Sequence, residues 1–389
     1  MNNFRHELAG ICAFNVKNDV LIKAFSALGG RSATKSIEAY SRICGTLLAA
    51  DKSLGEYLKD MLIFSDSPFI SLTAENPTEL RIKAVESDLK IIGHIAEYSP
   101  RRLKAELSEK YGDIFGELPD YEQGSFEHTA EYFTDFAARN GSGIFAKYKA
   151  FSYCGKLCPI ENTDPVRLSD LKNYEVQRNQ VVENTVCFLN GKPAQNVLLY
   201  GDRGTGKSST VKAILNEFDG LRMVELSKKD VGELPAMFRL LKRVPLKFII
   251  TIDDLTFSEN DDRFGILKAA LEGSLSARPG NILIYATTNR RKIIKETEFE
   301  REIGGADAID ESMTLADRFG LFVTFSKPSK EVYLDIVRKL AADRGICITE
   351  EELFAAAERF ALKRGGRSPR IARQFTDWLY GRIEMGMEY

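Results

Sequence analysis

Asn196-Val197-Leu198-Leu199-Tyr200-Gly201-Asp202-Arg203-Gly204-Thr205-Gly206-Lys207-Ser208-Ser209 is the stretch on which the reading of this chain turns. Gly201 to Ser208 spells G-x-x-x-x-G-K-S, the pattern of a phosphate-binding loop. The apolar run before it has the character of a buried parallel strand. After it, Val211, Ile214, Leu215 and Phe218 recur at helical spacing. Glycines let such a loop curl until several N–H groups face one polyanion, and the helix that follows adds its positive end. The loop residues Gly201, Asp202, Arg203, Gly204, Thr205, Gly206, Lys207, Ser208 and Ser209 are therefore expected to cradle a nucleoside triphosphate. Lys207 would reach the outer phosphates, and the Ser208 hydroxyl would ligate Mg²⁺.

Working outward, 389 residues are too many for one core and predict two or three domains. A net charge of −2 exerts no global pull on nucleic acid or anionic lipid, so any such contact has to come from a local patch. No apolar run reaches the ~18 residues that a spanning helix needs. The N-terminus lacks the charged-then-apolar build of a secretion signal, which makes the cytoplasm the expected compartment. Six cysteines in a chain of this length read as reduced thiols. Cys154 and Cys158 lie four apart, but a zinc site would need two further ligands that the nearby sequence does not offer.

Residues 1–112 read as a helical N-terminal domain. Ile37, Tyr40, Cys44, Leu47 and Leu48 share one face, as do Leu54, Tyr57, Leu58, Met61 and Leu62. Asn76-Pro77 reads as a cap and first helical residue, opening a segment striped by Val85, Leu89, Ile92 and Ala96. Residues 113–164 are richer in Gly and Pro and read as a connector, with short strands within Ile144–Tyr153. Residues 165–325 alternate helix and strand, predicting an α/β domain with a parallel sheet flanked by helices. The strand candidates after the loop are Leu221–Leu226, Phe248–Ile252, Ile282–Ala286 and Leu321–Phe325. One strand-plus-helix unit intervenes between the loop and the acidic strand, which is expected to set that strand beside the loop's own. Residues 326–389 return to helices and read as a small lid.

The acidic strand, Phe248-Ile249-Ile250-Thr251-Ile252-Asp253-Asp254, ends in two carboxylates that would face the phosphates. Asp253 is suited to hold Mg²⁺ and Asp254 to orient an attacking water. The next strand runs into Thr287-Thr288-Asn289, where a polar amide could hydrogen-bond the same water or the γ-phosphate.

Taken together, residues 165–380 resemble an AAA+ ATPase module: phosphate loop, acidic strand, polar-ended strand, an arginine before the last strand, then a helical lid. The segments Asn196–Lys212, Leu234–Asp254 and Gly365–Trp378 are similar to a bacterial family of uncharacterised ATP-binding AAA+ proteins. The resemblance makes Asn289 the first sensor, with Thr288 as the alternative. It makes Arg318, in Leu315-Ala316-Asp317-Arg318-Phe319-Gly320, a finger reaching the ATP of a neighbouring subunit. Such fingers are worth about 10³ to 10⁵ in turnover. Gly365-Gly366-Arg367-Ser368-Pro369-Arg370 resembles the start of the lid helix carrying the second sensor, Arg370, with Arg367 competing. A cation in the first turn opposes the helix dipole, which suggests an anionic partner. Leu171 and Tyr174 stand where the family contacts adenine.

The resemblance implies an ATPase that binds ATP and Mg²⁺ and works as a homo-oligomeric ring, a hexamer being one form, on an unidentified protein or nucleic-acid client away from membranes. One departure stands out. Most AAA+ motors end the acidic strand Asp-Glu, whereas this chain has Asp253-Asp254, as bacterial initiators and helicase loaders do, which implies slow, partner-stimulated turnover. The alternative is an ATP-dependent binding or assembly switch with incidental hydrolysis. A DNA-acting reading rests on the cluster Lys363, Arg364, Arg367, Arg370 and Arg373. Between Arg290 and Leu315 lies a charged insertion centred on Gly304-Gly305, read as a plain loop, with a pore-facing or substrate loop as the alternative.

Overall fold

The strands around the phosphate loop are buried along most of their length, which puts them in a sheet covered on both faces. The structure, a computed structural model, describes residues 4–258, 262–272, 279–289, 294–295 and 318–388. They form two compact units, one of residues 1–148 with 244–246, the other of residues 149–243 and 247–389. Residues 113–164 thus do not stand apart as a connector. Their first part completes the helical unit, and the remainder opens the second unit.

The first unit contains α1 (Phe4–Ala9), α2 (Val20–Ala27), α3 (Ala33–Ala50), α4 (Leu54–Phe64), α5 (Pro68–Glu75), α6 (Glu79–Ala96), α7 (Pro100–Tyr111), α8 (Ala130–Asn140) and α9 (Ile144–Lys147). The expected stripes supply its core: Tyr40, Cys44 and Leu47 on α3, Leu54, Leu58 and Leu62 on α4, Val85, Leu89 and Ile92 on α6 are all buried. Leu48 departs from its stripe and is exposed, Ile43 taking the inward position. The cap of α6 is Thr78, whose side chain accepts the Arg81 N–H, rather than Asn76, which ends α5. The buried Asp88 carboxylate accepts the backbone N–H groups of Cys12, Ala13 and Phe14, so it is paired as a buried charge must be.

The second unit is built on β1 (Ala150–Tyr153), β2 (Leu157–Ile160), α10 (Glu175–Leu189), β3 (Val197–Gly201), α11 (Lys207–Glu217), β4 (Leu221–Leu226), α12 (Leu234–Leu241), β5 (Lys247–Ile252), β6 (Phe257–Ser258), α13 (Asp262–Glu272), β7 (Ile282–Thr288), β8 (Ile294–Lys295) and β9 (Leu321–Phe325), followed by the lid helices α14 (Lys330–Asp343), α15 (Glu350–Lys363) and α16 (Pro369–Glu384). Among the described residues, seven strands form one sheet in the order β2-β1-β4-β5-β7-β3-β9. All its pairings are parallel except β1 with β2. The short β6 and β8 pair separately.

Val197, Leu199, Ile249, Leu283, Val323 and Phe325 pack with Val181 and Phe188 of α10 and Val211, Ile214 and Leu215 of α11. Alternate residues Leu198, Ile250, Ile252 and Ile284 are buried as well, so both faces of the sheet are covered, as a parallel sheet requires. This is the P-loop AAA+ α/β fold.

Two expectations are corrected here. The acidic strand β5 does not lie beside the loop strand β3, because β7 is inserted between them. Pairing on both edges of β7 sets its polar end between the loop and the acids. The strands expected within Ile144–Tyr153 reduce to β1, preceded by the short helix α9, and with β2 it extends the sheet beyond β4. Among the described residues no helix is long and apolar enough to cross a membrane.

Candidate active site

At the C-terminal end of β3 the backbone turns at Gly201, where φ is +142° and an added Cβ would lie 1.9 Å from the Phe325 carbonyl oxygen. No side chain fits there without moving β9, which accounts for the glycine. Gly204 and Gly206 also take positive φ before α11 begins at Lys207.

The Lys207 ammonium is buried and donates to the carbonyls of Gly201 at 2.7 Å and Asp202 at 2.8 Å, and to Asn289 Oδ1 at 2.9 Å. Burial pulls its pKa below the ordinary lysine value, against Asp202, Asp253 and Asp254, which raise it, while Arg370 adds to the fall. Ser208 Oγ donates to Asp253 Oδ1 at 2.7 Å. The hydroxyl and the carboxylate are both hard oxygen donors, the set Mg²⁺ prefers. The residues present therefore fit the ion.

Asp254 has φ +51°, an uncommon conformation for a non-glycine residue. Its N–H donates to Thr287 Oγ1 at 3.1 Å, and its carboxylate accepts from Asn289 Nδ2 at 2.8 Å. Thr287 Oγ1 also donates to Asp253. Sequence reasoning passed over Thr287, whose hydroxyl links both acids. Its position at the end of the strand flanking the acids was the available signal. Of the two residues weighed as first sensor, Asn289 touches Lys207 and Asp254, whereas the Thr288 side chain is buried in the strand.

A cavity of about 640 Å³ runs from the phosphate loop to the lid. Its walls include Arg203 to Ser209 of the loop, Asp253, Asp254 and Asn289, and Leu171 and Tyr174, the positions expected to meet the base. Tyr174 and its predecessor Asn173 both have positive φ. The Tyr174 ring stacks on Phe325 at 5.5 Å, and its hydroxyl donates to the Ser326 carbonyl at 2.6 Å. Burial, with Asp202 nearby, pushes that hydroxyl up to about 12, so it remains a donor at neutral pH.

On the lid, Ser368 caps α16 by accepting the Ile371 N–H, with Pro369 at the first position. Arg370 lines the cavity, and its backbone N–H donates to the Gly204 carbonyl at 3.1 Å. Arg367 instead forms a two-pronged pair with Glu358 at 2.8 and 2.5 Å, which holds that carboxyl below its usual range. Asp202, expected among the phosphate contacts, accepts the Lys327 N–H through its carboxylate at 3.0 Å, so it grips the hinge to the lid. Arg318 is exposed just ahead of the buried Phe319. The Leu315–Asp317 part of its segment lies outside the described residues, as does nearly all of the insertion between Arg290 and Leu315.

The model of the family described as a protein of unknown function, DUF815, matches residues 145–383. Among curated proteins, the chain is 34% identical over 79 residues to the replication factor C large subunit of Staphylothermus marinus, across 20% of this chain and 18% of that protein. It is 24% identical over 223 residues to spastin of Sus scrofa, across 51% of this chain and 33% of that protein. The match therefore spans a third or less of the length of these relatives. Among solved structures, the AAA domain of FIGL-1 in complex with ADP is 20% identical with a TM-score of 0.39, covering 58% of this chain and 76% of that one. The Holliday junction branch migration motor RuvB of Thermotoga maritima is 16% identical with a TM-score of 0.41, covering 57% and 66%.

Proposed function

This chain belongs to the DUF815 family and is built on an AAA+ ATPase module, and we propose that it binds Mg·ATP and hydrolyses it slowly, as an oligomer that remodels or loads a macromolecule. The observation that carries the reading is the convergence of Lys207, Ser208, Asp253, Asp254 and Asn289 in one hydrogen-bonded cluster at the mouth of the cavity.

In this reading the curled backbone of Gly204 to Lys207 binds the phosphates, and Lys207 exchanges its carbonyl partners for phosphate oxygens. Ser208 and Asp253 would hold Mg²⁺, which supplies neutralisation of the charge spreading over the γ-phosphoryl group. Asp254 accepts a hydrogen bond from the attacking water and orients it, Asn289 positions that water, and Arg370 closes on the phosphate from the lid. Leu171 and Tyr174 receive the base. Arg318 acts on the ATP of a neighbouring subunit, so isolated subunits turn over poorly.

Slow turnover is supported by the Asp254 carboxylate being held by Asn289 Nδ2. That bond draws charge from the carboxylate and weakens it as a partner for the attacking water. The same observation favours the second reading, a nucleotide-dependent assembly switch with incidental hydrolysis. A DNA-acting role draws little support from the lid cations. Arg367 is paired with Glu358, Arg373 donates to the Asp170 carbonyl, and Arg364 lies over the Phe360 ring.

The test is calorimetric titration with Mg·ATP alongside solution mass. Binding by wild type and its loss in Lys207→Ala are expected, with Asp254→Asn trapped as an ATP-bound oligomer. Equal heats from wild type and Lys207→Ala would overturn the reading. Steady turnover without any change of mass would remove the oligomer.

A further inference from the structure

The β1–β2 hairpin carries chemistry that the nucleotide site does not use. Cys154 and Cys158 have their sulfur atoms 3.4 Å apart, and neither is buried. The pairing of Ser152 with Cys158 and Tyr153 with Leu157 brings Cys154 into the bend just past the last paired residues. There Gly155 takes φ +80°, and the Cys154 N–H closes on the Lys156 carbonyl at 3.2 Å. The sulfurs are thus brought together by the ladder itself. The other cysteines stand singly: Cys12, Cys187 and Cys347 are exposed, and Cys44 is buried with its thiol on the Pro119 carbonyl. Among the described residues no cluster of three or more metal-ligating side chains exists. Two sulfurs fall short of the four ligands that a closed zinc site needs.

We propose that Cys154 and Cys158 form a reversible redox site, in which a small-molecule disulfide such as oxidised glutathione converts the two thiols into one intramolecular disulfide across the hairpin. A thiolate of the pair attacks the glutathione disulfide, forming a mixed disulfide and releasing one glutathione thiolate. The second cysteine, as thiolate, then attacks the protein-side sulfur and expels the other glutathione thiolate. Two electrons pass to the glutathione couple, and the two thiol protons end on the departing glutathiones. Because each thiol is the other's nearest attacker, the second step outruns escape of the mixed disulfide. The Cys158 thiol pushes the Cys154 thiol above its usual range, so exchange accelerates as pH rises.

The ring so closed contains Gly155, Lys156 and Leu157, and holds β2 on β1. Beyond β2, the chain is tied to α11 by Asn216, whose side-chain amide donates to the Asp164 and Val166 carbonyls, each at 2.8 Å. The disulfide therefore clasps a strap that ends on the helix bearing Lys207 and Ser208. The exposed Lys156 lies inside the ring, where a protease reports on closure.

The full chain is equilibrated in glutathione buffers of graded oxidation, quenched in acid, alkylated and mapped by mass. The expected result is a 154–158 peptide lighter by about 2 Da and free of glutathione, exceeding its mixed disulfide at least ~10-fold. Cys187 and Cys347 in the same samples carry glutathione or remain thiols. Cys154→Ser leaves Cys158 carrying glutathione, and trypsin cuts at Lys156 more slowly in the oxidised wild type. The proposal is overturned if Cys154 and Cys158 stay alkylatable in buffers that modify Cys187 and Cys347, or if each carries its own glutathione.

Discussion

Lys207 is the residue at which loop, acids and sensor meet, and the bonds its ammonium would make to phosphate oxygens, in place of those to the Gly201 and Asp202 carbonyls, define what is lost by replacing it. Hydrogen bonds to a charged group are worth about 1.5–3 kcal/mol each, so Lys207→Ala should weaken ATP binding by about 10² or more. Only the protonated amine attracts phosphate. Its folded-state pKa lies below the ordinary lysine value, so affinity is full at low pH and falls as pH rises through that lowered value, earlier than an unperturbed lysine would allow. Titrations of affinity between pH 7 and 10 check this, and a flat profile would contradict it. The two lid arginines separate at the same scale. Arg370→Ala should lower turnover by an order of magnitude or more while leaving the melting temperature nearly unchanged. Arg367→Ala should do the reverse, lowering the melting temperature slightly with turnover nearly retained, since its partner is Glu358 and the pair is partly exposed. Kinetics and thermal melts on the two variants discriminate them.

At the scale of elements, the hinge Phe325–Lys327 is held from both ends of the cavity. Tyr174 stacks on Phe325 and bonds the Ser326 carbonyl, while Asp202 bonds the Lys327 N–H. Tyr174→Phe keeps the ring and deletes one hydrogen bond worth about 1 kcal/mol. Lower kcat with KM for ATP little changed is expected, because the base wall stays while the lid is less firmly tied. A change confined to KM would assign Tyr174 to the base alone. The β3–β9 junction has less tolerance. Gly201→Ala would drive a Cβ into the Phe325 carbonyl and should destabilise the second unit by about 3 kcal/mol, seen as a lower denaturation midpoint.

For the whole molecule, the site faces a lid rooted in the same unit, so nucleotide should bind the folded state selectively. At 100 times its Kd, Mg·ATP should then add about 2.7 kcal/mol of stability. That increment should vanish in Lys207→Ala, read as the loss of the ligand-induced shift in thermal melts. If the protein assembles through Arg318, Arg318→Ala should form the same oligomer as wild type but hydrolyse ATP about 10³-fold more slowly. Mixing it with Asp254→Asn subunits should restore part of the turnover, because each then supplies what the other lacks. No rescue on mixing would place Arg318 outside the neighbour's site.

The sequence alone was sufficient for the strand, loop and helix around Lys207, the helical stripes of the first unit and the cap at Ser368, because each rests on residues within a few positions of one another. Covalent spacing and backbone sterics then leave few alternatives. Strand order was out of its reach: inserting β7 between β3 and β5 depends on which edges pair after collapse, and that pairing carries Thr287 and Asn289 to the acids. Which of Arg370 and Arg367 lines the cavity was equally closed to it, since both lie beside the same cap. The packing of α16 on α15 put Glu358 within reach of Arg367 and left Arg370 on the cavity. Partners as distant in the chain as Ser208 and Asp253, or Tyr174 and Ser326, meet only through the completed sheet, so tertiary structure decided them.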